Sequence, residues 1–181
     1  TFPPFPEPIY TPEWGNIVNG ITPIHRTILD PMKFYVSYNG DSDWFPNAGS
    51  TRWGLEKTIY DPCPVGWKVP DGGPEGIWSR AGFNENYIPQ SGEHGVSIQL
   101  DNEITAWYPC PGHRSCSSIV YGEIIDAGED GGYWSVTESN SSERNYLFYV
   151  AVDNANSHIY RSYGYSVRCM KDDGFIDAAL P

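Results

Sequence analysis

The sequence predicts a single α+β domain that is rich in strands and poor in helix. The 181 residues include 19 glycines and 16 prolines, which interrupt helices. Aromatic residues make up 15% of the chain, whereas disordered chains contain few of them. Apolar runs of strand length fill the second half of the chain, and its total length is typical of one domain.

The N-terminal segment, residues 1–23, holds six prolines. Proline at this density excludes a helix and favours an extended, polyproline-like chain. We therefore predict an extended arm over residues 1–23 and a folded domain over residues 24–173. Residues 174–181 are expected to form a short C-terminal tail.

Six strands are predicted in the second half of the chain. Val96, Ile98 and Leu100 alternate with polar residues, as on a half-buried strand. Residues 71–95 are too rich in glycine for a helix longer than a turn or two. The predicted strands cover residues 95–100, 104–108, 133–137, 146–152 and 165–170, and a segment that begins at residue 159.

The chain is acidic, with a formal net charge of −12. Nucleic acids and anionic membranes bind to basic surfaces, so this charge argues against both as partners. No apolar run approaches the roughly 18 residues that a membrane-spanning helix requires, so we expect no membrane insertion.

The four cysteines favour disulfides over a zinc site, because their number is even and no Cys-x-x-Cys pair is present. Turn-forming residues separate Cys110 from Cys116 and could bring these two within bonding distance. The remaining pair would then be Cys63 and Cys169. Two alternatives stay open: four free buried thiols, and a metal site made by Cys110, His113 and Cys116.

Three sequence motifs resemble one known family. Residues 61–70 read Asp-Pro-Cys-Pro-Val-Gly-Trp-Lys-Val-Pro, residues 132–137 read Gly-Tyr-Trp-Ser-Val-Thr, and residues 164–172 read Gly-Tyr-Ser-Val-Arg-Cys-Met-Lys-Asp. Their order and spacing resemble the Fibrobacter succinogenes major paralogous domain, which is abundant in secreted and surface proteins of Bacteroidetes. The resemblance spans about residues 30–173.

This resemblance implies a C-type lectin-like fold, an extracellular position at the bacterial cell surface and a Cys63–Cys169 disulfide. It implies a non-enzymatic adhesion or ligand-binding module, at a fimbrial tip or in a surface lipoprotein. The expected partners are a glycan, a host or partner protein, or pilin subunits. One alternative is a structural surface subunit without a soluble ligand. Another is an enzyme of the formylglycine-generating type, which shares the wider fold and needs a redox-active cysteine pair.

The predicted binding region is the loop segment of residues 101–132, because the long loops between later strands carry binding in the fold that the resemblance implies. Aromatic rings can stack on sugar C–H surfaces or on apolar peptide side chains. A Cys110–Cys116 disulfide would stiffen this loop and lower the ordering cost of binding. The candidate ligand-binding residues are Trp107, Tyr108, His113, Arg114 and Tyr121.

No cofactor is predicted, with calcium left open. The calcium-site tripeptides of sugar-binding C-type lectins, Glu-Pro-Asn and Trp-Asn-Asp, are absent from this chain. No histidine stands in a recognisable catalytic setting, so no catalytic residue is predicted. Two acidic groups could bind calcium through their side chains and nearby carbonyls: Asp126, Glu129 and Asp130, and Asp41, Ser42 and Asp43.

Overall fold

The computed structural model describes residues 52–81, 94–99, 105–116, 122–139, 144–150 and 154–174, together with Leu29 and Phe34. The predicted arm of residues 1–23 lies outside these ranges, as do residues 175–181 of the predicted tail. The candidate ligand Tyr121 and the acidic group at residues 41–43 also lie outside the described residues.

Short strands make up most of the regular structure, as predicted for a strand-rich chain with little helix. Within the described ranges they are β1 (Trp67–Lys68), β2 (Gly95–Gln99), β3 (Thr105–Pro109), β4 (His113–Arg114), β5 (Ile124–Ile125), β6 (Gly132–Glu138), β7 (Arg144–Tyr149), β8 (Asn154–Tyr160) and β9 (Met170–Lys171). A four-residue helix, α1, spans Ile77–Arg80. All strand pairs are antiparallel: β6, β7 and β8 form a three-stranded sheet, and β1–β9, β2–β3 and β4–β5 form two-stranded sheets.

Aromatic rings build the main core. The Trp78 ring stacks on Phe148 with 5.5 Å between centroids, and Tyr108 meets Tyr133 edge to face at 5.1 Å. Trp78 Nε1 donates a hydrogen bond to the Tyr108 hydroxyl at 3.1 Å, so the two buried polar atoms satisfy each other. A helix as short as α1 is not stable by itself, so the burial of Trp78 holds it in place.

A second, smaller core surrounds the disulfide between Cys63 and Cys169. Val69 and Val136 are buried against it. The bond joins residues 106 positions apart, and Trp67 of β1 lies opposite Lys171 of β9 beside it. In the chain-entropy model, closing a loop of this length stabilises the fold by about 4–5 kcal/mol. The predicted Cys63–Cys169 pairing is confirmed.

Asp61 fixes the segment that leads into this disulfide. Its carboxylate accepts hydrogen bonds from Lys57 Nζ at 3.0 Å, from the Cys63 N–H at 2.8 Å and from the Val69 N–H at 3.1 Å. The Asp61 side chain is almost fully buried, so these three donors replace the water it loses. The disulfide is therefore held by a polar anchor as well as by apolar packing.

The predicted strand at residues 165–170 is wrong as a continuous strand. Gly164 bridges to Arg114 and Ser166 bridges to Tyr133, whereas β9 begins only at Met170. Arg114 and Tyr133 belong to different sheets, so this segment links two sheets instead of extending one. The predicted strands that begin at residues 95, 104, 133 and 146 are confirmed as β2, β3, β6 and β7, with shifted ends. The predicted strand that begins at residue 159 is wrong in its bounds, because β8 ends at Tyr160. Its polar first half, from Asn154 to Ser157, pairs with β7 although its composition is typical of a turn.

Candidate functional site

His113 lies on β4 and is buried against tyrosine rings. Only 8% of the residue is exposed. Its imidazole stacks on Tyr165 with 4.6 Å between centroids, and Tyr163 lies 5.7 Å away. The Nδ1 atom is buried and has no hydrogen-bond partner. Buried polar atoms in folded proteins are nearly always paired, so this ring has an unmet capacity to bind.

A tight turn brings two carboxylates to this ring. Asp126 has a φ of 58°, in the left-handed region that Asp tolerates better than most residues with a Cβ. Its carbonyl accepts a hydrogen bond from the Asp130 N–H at 2.8 Å. Two further bonds tie the turn to the end of β3, from the Gly112 N–H to the Asp130 carbonyl at 2.7 Å and from the Gly128 N–H to the Cys110 carbonyl at 2.8 Å.

Gly112 is required for this arrangement. Its φ is 69°, and a Cβ at this position would lie 2.4 Å from the Ile125 carbonyl oxygen. Glycine adopts this conformation without strain, and because it has no side chain, the backbone of β5 can pack directly against it. Directly after it, His113 pairs with Ile125 across the β4–β5 sheet, so the ring stands beside the start of the acidic turn.

His113, Asp126 and Asp130 together form a group that we name the His113 cluster. One potential ligand atom from each residue lies within 4.8 Å of the other two. His113 and Asp130 are buried, whereas Asp126 is exposed, so the cluster opens to solvent on one side. In the part of the chain that the structure describes, no other group of three such ligands occurs.

The buried side of the cluster is held by hydrogen bonds to Asp130. Its Oδ1 accepts the Gly131 N–H at 2.5 Å, and its carboxylate is also hydrogen-bonded to Tyr149. Burial raises the pKa of the Tyr149 phenol, and the Asp130 carboxylate raises it further. The phenol therefore stays protonated at neutral pH and acts as the donor in this bond.

The charge state of His113 follows from its burial. Burial lowers the pKa of the imidazole, and the Asp126 and Asp130 charges oppose part of that shift. The stacked Tyr165 has a pKa raised by its own burial, so it adds a neutral ring and no charge. A neutral imidazole has a ring nitrogen with a free lone pair, which is the form that binds a metal ion.

The predicted ligand residues Trp107 and Tyr108 point in opposite directions, because successive side chains alternate along β3. Trp107 is 46% exposed. Tyr108 lies in the aromatic core, where the Arg168 guanidinium covers its ring at 4.3 Å from the centroid. Arg168 also donates a hydrogen bond to the Trp107 carbonyl. Tyr108 therefore supports the strand from beneath, and Trp107 faces solvent.

Arg114 holds a loop in place. Its Nη1 donates a hydrogen bond to the Gly122 carbonyl at 2.7 Å, and its guanidinium lies 6.0 Å from the centroid of the Phe34 ring. The backbone of Arg114 exchanges two hydrogen bonds with Gly164, at 3.0 and 2.9 Å. The guanidinium is thus engaged within the chain, between the β4–β5 hairpin and Phe34.

The predicted Cys110–Cys116 disulfide is wrong, since both thiols are free. Cys110 is buried in the aromatic core at the end of β3, whereas Cys116 follows β4 and interacts with Ser162 and Tyr163. The turn at Gly112 and the extended strand after it lead the second thiol away from the first. Burial raises the pKa of both thiols, and less of the nucleophilic thiolate forms as a result.

The sequence suggested two groups of metal ligands in this region, and the structure brings together a third group of different composition. His113 meets Asp126 and Asp130 instead of Cys110 and Cys116. The acidic group of Asp126, Glu129 and Asp130 contributes two of its three members, and Glu129 lies exposed outside the cluster. No spacing rule in the sequence links His113 to these carboxylates, because Gly112 and the turn create the contact.

Comparison with protein-family models, with curated proteins and with solved structures finds no match for this chain. Within the described ranges, the structure contains no helix that is long and apolar enough to cross a membrane. The function proposed below therefore rests on the chain's own residues and on the motifs described above.

Proposed function

We propose that this chain is a non-enzymatic ligand-binding module of the bacterial cell surface. In this proposal it is an adhesion domain of C-type lectin-like fold, at a fimbrial tip or in a surface lipoprotein. The three motifs that resemble the Fibrobacter succinogenes major paralogous domain support this assignment. The Cys63–Cys169 disulfide supports it as well, because structural disulfides persist in oxidising compartments and are rare in the cytosol.

The exposed ring of Trp107 is the observation on which the binding role depends. A Cβ at Gly95 would lie 2.5 Å from Trp107 Cζ2, so the ring rests on the backbone of the neighbouring strand. Ser97, which lies opposite Trp107 in the β2–β3 hairpin, is small and also exposed. A large aromatic face on a paired strand loses little conformational entropy when it binds, which favours stacking on a sugar ring or an apolar peptide side chain.

Glycan-array binding of the full chain, with and without calcium, tests this role. We expect Trp107→Ala to weaken binding by about tenfold or more, since removal of a central aromatic anchor typically has an effect of 2 kcal/mol or above. Trp67→Ala is a matched control, because Trp67 is 45% exposed but lies on β1 in a different sheet. Equal losses in the two variants would contradict a binding surface at Trp107.

A structural surface subunit is the second candidate, and a specific observation favours it. Between the described residues 55 and 67, several large apolar side chains are exposed. They are Leu55, Ile59, Tyr60, Val65 and Trp67. Such a segment is suited to packing against a neighbouring subunit. An array on which no host or plant sugar binds, with or without calcium, would favour this role over ligand binding.

A further inference from the structure

The His113 cluster combines donors that fit a metal ion, and three separate properties of it point to one. It offers one imidazole nitrogen and two carboxylates within 4.8 Å of one another. The His113 Nδ1 atom is buried without a hydrogen-bond partner. Asp126 is exposed, which provides a route for an ion from solvent.

An unpartnered buried nitrogen is unusual enough to need an explanation. Leaving a buried polar atom unsatisfied destabilises a fold, because the atom has lost its hydrogen bonds to water and gained none in return. The His113 ring is stacked on Tyr165 and is 8% exposed, so solvent does not compensate for the missing bond. A metal ion bound at Nδ1 would remove that penalty, and the two neighbouring carboxylates would supply the negative charge that a cation requires.

We propose that the His113 cluster binds one divalent transition-metal ion of the zinc type. The donor set selects the class of metal. Calcium and magnesium take oxygen ligands, whereas imidazole nitrogen suits zinc and its first-row neighbours. Three protein ligands with one solvent-exposed side leave a coordination position for water, as in zinc sites that are not closed by a fourth side chain.

Metal binding requires the three ligand atoms to move closer together. Ligand atoms around a tetrahedral zinc ion, with bonds of about 2.0–2.1 Å, lie roughly 3.3 Å from one another. The cluster must therefore contract from separations of up to 4.8 Å. Asp126 is exposed and can rotate inward, whereas Asp130 is held by the Gly131 N–H and by Tyr149. Such outer hydrogen bonds orient a ligating carboxylate.

Isothermal titration of the full, unreduced chain with zinc chloride tests the site. We expect one zinc ion per chain at the cluster, and Asp126→Asn should weaken its affinity by about tenfold or more, an effect in the range seen for perturbed metal sites. Asn tolerates the left-handed backbone of this position as well as Asp does, so the variant removes a charge without disturbing the turn.

Glu129→Gln is the matched control, because Glu129 is an exposed acid in the same turn and is outside the cluster. It should bind zinc with an affinity within about twofold of the unchanged chain, and near-ultraviolet circular dichroism should show that both variants are folded. Absence of stoichiometric zinc binding would overturn the proposal. So would equal losses in Asp126→Asn and Glu129→Gln, since a general charge effect would then explain both.

Calcium chloride and magnesium chloride, titrated in the same way, test the class of metal. Neither should give binding that depends on Asp126, and calcium binding at Asp126 that is tighter than zinc binding would overturn the assignment. The site is independent of the proposed adhesion role. Trp107→Ala should keep its zinc affinity, so a failure on the glycan array and a failure in zinc titration are distinguishable.

Discussion

Two regions of this molecule are held together in different ways: the surroundings of the Cys63–Cys169 disulfide, and the turn that contains the His113 cluster. Around Cys63 and Cys169, a covalent bond, a buried Asp61 with three donors and apolar packing all act at once. Around Cys110 and the His113 cluster, no covalent bond forms, and backbone hydrogen bonds from Gly112 and Gly128 hold the turn.

The difference explains where a binding site can form. The disulfide region has its buried polar groups satisfied, so it is a structural support. The turn region leaves His113 Nδ1 unpartnered and groups it with two carboxylates, one of them open to solvent. Hydrogen bonds hold the turn region without using His113 Nδ1, so this nitrogen can bind a ligand from outside the chain.

Removal of the disulfide should have the largest effect on stability. Replacing Cys63 and Cys169 together by serine should lower the free energy of unfolding by about 4–5 kcal/mol, because the unfolded chain gains the entropy of a long open loop. Guanidinium unfolding monitored by tryptophan fluorescence measures the loss. If the loss were below about 1 kcal/mol, the range of an ordinary surface substitution, the contrast between the two regions would be refuted.

Alkaline pH should weaken the core beside the turn region. Burial raises the pKa of Tyr133 to about 12 from its ordinary value of 10.0, and its hydroxyl donates to the Pro109 carbonyl at 2.8 Å. Between these two pH values the unfolded chain releases the proton and the folded chain retains it. The contribution of Tyr133 to stability should therefore be fully present below pH 10, and about 2–3 kcal/mol of it should be lost as the pH rises toward 12.

Tyr133→Phe separates this contribution from the titration of other tyrosines. The variant should lose about 1 kcal/mol at neutral pH, the typical effect of one hydrogen bond, and its stability should decline less steeply above pH 10. Denaturant unfolding at a series of pH values, with phenolate absorbance in parallel, measures both. Identical slopes for the two proteins would show that Tyr133 does not titrate as its burial requires.

Gly112→Ala should break the turn region selectively. A Cβ there is strained by the positive φ and lies 2.4 Å from the Ile125 carbonyl oxygen, so we expect a loss of about 2 kcal/mol or more. Gly54→Ala is the matched control, because the nearest atom to its Cβ would be 3.8 Å away, and its effect should be within about 0.5 kcal/mol. Comparable unfolding midpoints for the two variants would rule out a required close approach at Gly112.

The smallest effect on stability is expected for the free thiols. Cys116→Ser should change the free energy of unfolding by less than about 1 kcal/mol, because no disulfide is lost and a serine hydroxyl can replace the thiol in its hydrogen bonds with Ser162 and Tyr163. Ellman titration checks the assignment directly: two thiols should react in the unfolded, unreduced chain, and they should react more slowly in the folded protein because burial raises their pKa. Absence of reactive thiols after unfolding would mean that Cys110 and Cys116 are bonded after all.

Much of the fold was predictable from local patterns. Alternation predicted β2, because a half-buried strand leaves a period-two signature, and a continuous apolar run predicted β7. Residues 165–170 resemble a strand in the same way, yet they bridge two sheets. Apolar patterning shows that a segment is extended and half-buried, but it does not show which partner the segment meets.

The candidate site was predictable only in its parts. The sequence indicates His113 as a ligand contact and places Asp126 and Asp130 in one acidic group, but it does not link the histidine to these two acids. A signal was present in Gly112, because a glycine directly before His113 permits a sharp approach of the chain. Gly112 does not show which residues lie next to His113. Hydrogen bonds from Gly112 and Gly128 to carbonyls distant in the sequence place Asp126 and Asp130 there.

Taken alone, the sequence determined the strand-rich class, the acidic charge and the residues able to form the long-range disulfide, because composition and periodicity carry these properties. The tertiary structure decided which cysteines stay free, which of two adjacent aromatic residues faces solvent, and which imidazole meets which carboxylates. Those outcomes depend on contacts between residues distant in the chain. Such contacts are set by the packing of the whole domain, and they have no fixed spacing that a sequence pattern could reveal.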